Sequence, residues 1–397
     1  MKILFCSPVR LDRSLGAPKV VIEFADGLRK LGCQCDLVGP MEVAGVADGR
    51  REPDRYIHAL RDYLKKRAAD YDVADYDHEW LPFSRGEFPA STLMVARSVL
   101  LHYHFAELHI PRPGNPKARA ARFVKRILTT RQRRESRRRA DRTGHEADLF
   151  TTMNTYDRDT LVRHGYPREK IAVVGVGLTP ERFAELSRAS LEIPATPRIA
   201  FVGTFDYRKG CLDMPGIVER VVRAIPSAQF RFVGTSGLFQ TPEEVYKHFP
   251  RHLRSHVKVW PRFDPKELPD LLTPCSAGIF PSYIEGFGFG VLEMLAAGLP
   301  VFAYDAPGPP DMLSGDYLVK PGDVTTMANR LIELHRDSQK LANARRAARA
   351  RASEFTWEGC ARQMLAAYQS GREVLLRKNS AITGIHTNSS QIHAFAS

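Results

Sequence analysis

Two carboxylates, Glu285 and Glu293, stand with seven residues between them, and three of those seven, at alternate positions, are glycines: Gly286, Gly288 and Gly290. A short apolar run, Gly278 to Pro281, precedes them and reads as a buried strand. An apolar helix from Val291 to Ala297 follows, closed by Gly298 and Pro300, and then a second buried strand, Val301 to Tyr304. Unpaired N–H groups and the dipole at the helix start favour an anion, typically a phosphate, and glycines at Gly286 and Gly288 let the backbone around Phe287 approach it. A carboxylate beside a phosphate is electrostatically wrong unless it accepts hydrogen bonds from neutral hydroxyls. A sugar carries many hydroxyls, so the combination points to a nucleotide-sugar. A second constellation lies upstream, where the strand-like run Arg198 to Val202 turns at Gly203 and reaches Arg208 and Lys209. Two cations there suit a pyrophosphate, whose charge grows as a glycosidic bond to it breaks.

The stretch from Glu285 to Glu293, with the Gly298-Leu-Pro-Val continuation, closely resembles the Glu-x(7)-Glu motif of retaining glycosyltransferases of the group 1 (family 4) type. The resemblance implies the GT-B fold: α/β, two Rossmann-like domains facing across a cleft, with a C-terminal helix crossing back to the N-domain. It implies that Glu285 orients the hexose and Glu293 the ribose, while Lys209, Arg208 and the helix start around Gly288 hold the diphosphate. The family pattern in the phosphate loop is Arg-x(4)-Lys. Lys209 matches the lysine, but Thr204 stands at the arginine position, which leaves Arg208 as the candidate second cation. In the N-terminal loop, where the family has a glycine pair facing donor and acceptor, Gly16 is kept and Ala17 replaces its neighbour. The family also places a histidine just after an N-domain strand; here Arg97-Ser98 occupy that position, and His104 or His102 is the candidate, with an ordinary loop histidine as the alternative. The resemblance implies no metal and no cofactor beyond the nucleoside diphosphate-sugar donor.

Positioning these groups requires two domains, and 397 residues are enough for them. The first is expected over 1–176, supplemented by a crossing helix over 357–374. The second, nucleotide-sugar-binding domain is expected over 177–356, and the polar Ser/Asn/Thr-rich segment 375–397 reads as a disordered tail. Six cysteines without a Cys-x-x-Cys pair read as free thiols of a reducing compartment. No run approaches the roughly 20 apolar residues of a membrane span, and the first strand-like run is too short for a secretory signal. These features place the protein in the cytoplasm. Asp75, Asp77, His78 and Glu79 form a polar cluster in a strand-like stretch. Its period-2 spacing scatters the side chains over both faces, so a loop facing the cleft is expected rather than a metal site.

The net charge of +13 is concentrated between Arg112 and Arg142, where thirteen Lys/Arg face two acids, a local charge of +11. Phe123, Ile127 and Leu128 add an apolar stripe. Such a helix suits an anionic membrane surface, with Arg122, Lys125, Arg126, Arg133 and Arg134 as the contact patch; a solvated charged face is the alternative. Aromatic interleaving and recognition motifs are lacking, which argues against nucleic acid. The expected function is retaining transfer of a hexose from a nucleoside diphosphate-sugar to a glycan or lipid-linked acceptor hydroxyl, by a cytoplasmic protein peripheral on the inner face of the membrane. The alternatives are a sugar phosphorylase or epimerase of the same fold, and a catalytically silent, membrane-associated partner of another transferase, which Thr204, Ala17 and Arg97-Ser98 keep open.

Overall fold

The computed structural model describes residues 1–13, 16–114 and 116–392, with the side chains of 116–129, 133 and 382–392 outside that description. Among the described residues, twelve short strands build two six-stranded sheets. The first contains β1 (Lys2–Cys6), β2 (Gln34–Val38), β3 (Val73–Asp77), β4 (Leu93–Arg97), β5 (Leu149–Thr152) and β6 (Ile171–Val173). The second contains β7 (Arg198–Val202), β8 (Gln229–Val233), β9 (Val257–Trp260), β10 (Ala277–Phe280), β11 (Val301–Tyr304) and β12 (Leu318–Val319). Strand order is β2-β1-β3-β4-β5-β6 in one and β12-β11-β10-β7-β8-β9 in the other. Every pairing is parallel. Parallel strands are covered by helices on both faces, which explains why runs such as Ile199 to Val202 and Ile279 to Phe280 are continuously apolar and buried. This is the GT-B arrangement.

In each sheet the chain builds outward on one side of its first strand and then returns to the other side. The reversal falls between β1 and β3 in the first sheet and between β7 and β10 in the second. Crevices at such switch points, beyond the carboxyl ends of the strands, are where open α/β sheets hold ligands. The loop after β7 carries Arg208 and Lys209, and the loop after β10 carries Glu285, so both constellations found in the sequence leave one switch point.

The helix Trp357–Ile392 crosses back onto the first domain. Trp357 meets Phe24 edge-on at 5.3 Å, and Arg372 pairs with Asp72 at 2.7 Å. The Tyr368 hydroxyl donates to Asp75 Oδ2 at 2.6 Å. Asp75 is fully buried in β3 and also pairs with Arg97 of β4. Burial pushes the Asp75 carboxyl above its ordinary value, against the pull of Arg97 and Tyr368. The segment expected to be a disordered tail from 375 is helical to Ile392: the helix already docked through Tyr368 continues, with Leu375 buried and Asn379 donating to Ala90 O at 2.8 Å. Residues 393–397 lie outside the described residues.

The basic segment forms one helix, Pro116–Glu146. The side chains of Arg122, Lys125, Arg126 and Arg133 lie outside the described residues, whereas Arg134 is exposed, as are Arg131, Arg137 and Arg138. No helix among the described residues is long and apolar enough to cross a membrane.

Candidate active site

The loop after β7 is shaped by its own side chains. Thr204 Oγ1 donates to Asp206 Oδ2 at 2.8 Å, and Asp206 Oδ1 accepts from the Lys209 backbone N–H at 3.0 Å. Thr204, at the position where an arginine was expected, thus stiffens the loop that presents Arg208 and Lys209. Gly210 follows with φ +75°, and a Cβ there would lie 2.2 Å from Pro281 O, so the loop is pressed against the end of β10. Lys209 Nζ lies over the Phe280 ring, 4.8 Å from its centre.

Glu285 receives both cations. Its Oε1 is 2.5 Å from Lys209 Nζ and 3.3 Å from Arg208 Nη1, and Arg208 also donates to Ile284 O at 2.8 Å. Burial pushes the Glu285 carboxyl up, but Lys209 and then Arg208 outweigh it and hold it below its ordinary value. Burial is also the largest influence on Lys209 and lowers its pKa, only partly offset by Glu285, because one carboxylate is shared between two cations. Glu285 is therefore an ionised group, while the cations keep capacity for another anion.

The three glycines do different things. Gly288 has φ +103° and caps the helix Phe289–Ala296, opening its first turn toward the cleft. A Cβ on Gly286 would lie 1.9 Å from Val99 O of the first domain, and the Gly286 carbonyl accepts from Asn154 Nδ2. A Cβ on Gly290 would lie 2.3 Å from Val202 O in β7. Gly286 thus serves domain contact and Gly290 helix–sheet packing. Phe287 is buried beside Gly175, toward the first domain.

Glu293 sits on the same helix, its Oε1 accepting from Arg182 Nη2 at 3.0 Å. Arg182 is in turn held by Pro265 O at 2.6 Å and Glu185 at 3.2 Å. Glu293 has no direct bond to Glu285, Arg208 or Lys209.

From the first domain, His104 is buried and faces Asp157, Nε2 to Oδ1 2.6 Å. The Asp157 N–H donates to Asn154 Oδ1 at 2.7 Å, and Asn154 bonds Gly286, so His104 reaches the glycine loop through two intermediates. Thr155 clamps Asp311 of the second domain with its N–H (2.8 Å) and hydroxyl (2.6 Å). Gly16 begins the helix Gly16–Lys30 with open space around it. Two cations that the sequence reading passed over also reach across. Lys19 Nζ lies 5.3 Å from the centre of the Phe289 ring, at the first residue of the glycine helix, and the Arg112 guanidinium stands 4.9 Å over Tyr207 in the phosphate loop. The only local signal for Lys19 was its place two residues beyond Ala17. A cavity of about 420 Å³ opens between the domains, bordered by His109 and Tyr156 on one side and Tyr283, Asp305 and Gly322 on the other.

Glu285, Lys209 and Arg208 meet beside the start of the Phe289–Ala296 helix, at the switch point of the second sheet of a GT-B fold. Residues 183–351 match the family model described as "Glycosyl transferases group 1". The chain is 23% identical to O-antigen chain mannosyltransferase B of Escherichia coli over 56% of this chain and 61% of that protein. It is 30% identical to D-inositol 3-phosphate glycosyltransferase of Segniliparus rotundus over 51% of this chain and 47% of that protein. The chain thus spans about half to three-fifths of the length of these curated relatives. Among solved structures, HepE of Anabaena in complex with UDP superposes with a TM-score of 0.65 at 18% identity, covering 93% of this chain and all of that one, a likeness of fold.

Proposed function

We propose that the protein transfers a hexose from a nucleoside diphosphate-sugar to an acceptor hydroxyl, with retention of configuration. The observation that carries this is the meeting of Glu285, Lys209 and Arg208 beside the Gly288 helix start at one switch point. The diphosphate docks on the helix N–H groups and the two cations, which neutralise the charge that builds as the glycosidic bond breaks. Glu285, kept ionised by those cations, accepts hydrogen bonds from the hexose hydroxyls. Glu293 accepts from the ribose, its rotamer fixed by Arg182. The β-phosphate itself assists the acceptor hydroxyl, so that attack and departure share one face. His104 holds Asp157, and through it the segment that docks the glycine loop. No cofactor beyond the donor is required by this chemistry.

The interdomain cavity beside Tyr283, two residues before Glu285, gives an acceptor room near the transferred sugar. The relative named as an O-antigen chain mannosyltransferase supports a glycan or lipid-linked acceptor. We place the protein in the cytoplasm, with the basic helix against an anionic membrane face, where each basic residue contributes up to about 1 kcal/mol. Reversing Arg122, Lys125, Arg126, Arg133 and Arg134 to Glu should abolish cosedimentation with anionic vesicles.

The donor reading is tested by thermal shift against UDP, GDP, ADP and dTDP and their sugars, with wild type and Glu293→Gln. One nucleotide class should raise the wild-type melting temperature and raise that of the variant less. If no nucleotide stabilises wild type, the donor assignment fails and the silent-partner or phosphorylase reading takes its place.

A further inference from the structure

We propose that His78, Glu79 and His102 form a binding site for a single divalent transition metal, best suited to Zn²⁺. The site lies on the first domain and shares no side chain with the Glu285 cluster. β3 and β4 run side by side, with Asp77 paired to Arg97, so the loops that leave them emerge together at one sheet edge. His78 and Glu79 are the first two residues of one loop, and His102 lies in the other. The His78 N–H donates to Arg97 O at 3.0 Å, which fixes the base of the first loop.

The ligand atoms have the right spacing. His78 Nε2 and His102 Nδ1 are 3.4 Å apart. Two imidazole nitrogens at about 2.0–2.1 Å from a tetrahedral zinc are separated by roughly 3.3–3.4 Å. Glu79 Oε1 lies 3.8 Å from His78 Nε2, and one ligand atom from each of the three residues lies within 4.8 Å of the others. Three protein ligands leave a fourth position free for water. Two imidazoles and one carboxylate favour zinc and its neighbours over calcium or magnesium, which prefer all-oxygen sites.

The outer nitrogens provide an independent observation. His78 Nδ1 and His102 Nε2 are both buried without a hydrogen bond. Each nevertheless lies close to a carboxylate: Asp77 Oδ1 at 3.7 Å and Asp141 Oδ1 at 3.3 Å. A carboxylate behind each imidazole is the arrangement that orients metal-bound histidines, and a small turn of each ring toward a metal would complete it. The His78 side chain is 3% exposed and that of Glu79 31%, so an ion enters from the glutamate side. Asp141 belongs to the basic helix and pairs with Arg137 at 4.0 Å. A bound ion would therefore tie the two loops to the end of the helix proposed to face the membrane. The competing arrangement is a metal-free N–H···N contact between the two rings.

The test uses the full-length, tag-free protein, stripped with chelator and titrated with Co²⁺ as a spectroscopic probe. Wild type should take up one Co²⁺ per chain with the intense visible bands of a four- or five-coordinate ion, and Zn²⁺ should displace it and raise the melting temperature. His102→Ala should abolish the bands. Glu79→Gln, at a half-exposed position that tolerates substitution, should weaken binding at least tenfold, and Asp141→Asn about 10–100-fold. The proposal is overturned if wild type shows no such bands, or if folded Glu79→Gln binds Co²⁺ as tightly as wild type.

Discussion

Replacing Glu285 with Gln keeps the shape of the side chain and removes its charge. In the ligand-free protein this leaves Lys209 and Arg208 facing each other without the anion that lies 2.5 and 3.3 Å away. Removing one partner of a buried ion pair costs about 3–5 kcal/mol. The lysine and arginine side chains retain 12% and 27% exposure, so water recovers part of that, and a loss of about 2–3 kcal/mol is expected in urea denaturation. The sign of the effect on binding depends on the ligand. A free nucleoside diphosphate replaces the missing anion and should bind the variant at least as tightly as wild type. The corresponding nucleotide-sugar loses hydrogen bonds from its hexose to a charged acceptor, worth about 1.5–3 kcal/mol, or roughly 10–150-fold in affinity relative to the diphosphate. Titration calorimetry with both ligands reads this ratio directly. Equal losses for the two ligands would refute the assignment of Glu285 to the sugar. The stability difference also has a defined pH course. The folded pKa of Glu285 lies below its ordinary 4.5, so the contribution of its charge is complete above about 4.5 and is lost as pH falls through the folded value. The gap between wild type and Glu285→Gln should stay flat above that pH and narrow below it.

Three further outcomes are expected. Gly286→Ala puts a Cβ 1.9 Å from Val99 O, so the domains must part; small-angle scattering should show a more open particle and turnover should fall at least tenfold, with overpacking costing about 1–3 kcal/mol. Tyr368→Phe removes the 2.6 Å bond to the buried Asp75 and should destabilise the protein by about 1–3 kcal/mol in urea, with nucleotide affinity in the folded protein unchanged. His104→Ala leaves the buried Asp157 carboxyl without its 2.6 Å partner and should cost about 1–3 kcal/mol, whereas His104→Gln keeps a donor and should restore most of both stability and activity; activity lost in a stable Gln variant would make His104 a group that touches substrate.

The second domain was legible because its chemistry is local. Glu285, the glycines and Glu293 lie within nine residues, and Lys209 sits in the loop after a strand whose apolar run is unmistakable. What those glycines are for was not legible. Gly286 answers to Val99, almost 190 residues earlier in the chain, and Gly290 to Val202 in β7. The surroundings of the polar stretch at Asp75 to Glu79 were hidden for the same reason. Period-2 alternation does send Asp75 and His78 to different surroundings, but strand pairing brings Arg97 to one and delivers His102, from a separate loop, to the other. Composition suggested disorder beyond 375, yet a helix whose preceding turns already rest on the first domain extends at little extra entropic cost. Charge pattern located the basic helix, while its partners Asp54 and Tyr103 come from distant segments.

The crossing helix sets an order of events during synthesis. Asp75 leaves the ribosome 293 residues before Tyr368, the residue that completes its hydrogen bonding. At about 5–20 residues per second that interval is roughly 15–60 seconds. Throughout it the nascent first domain has its strands but lacks the surface that covers Phe24 and the acceptor half of its Asp75–Arg97 pair has one partner too few. The domain made first is therefore the domain finished last, and ribosome-bound chains halted before Tyr368 should be protease-sensitive in the half that was translated earliest.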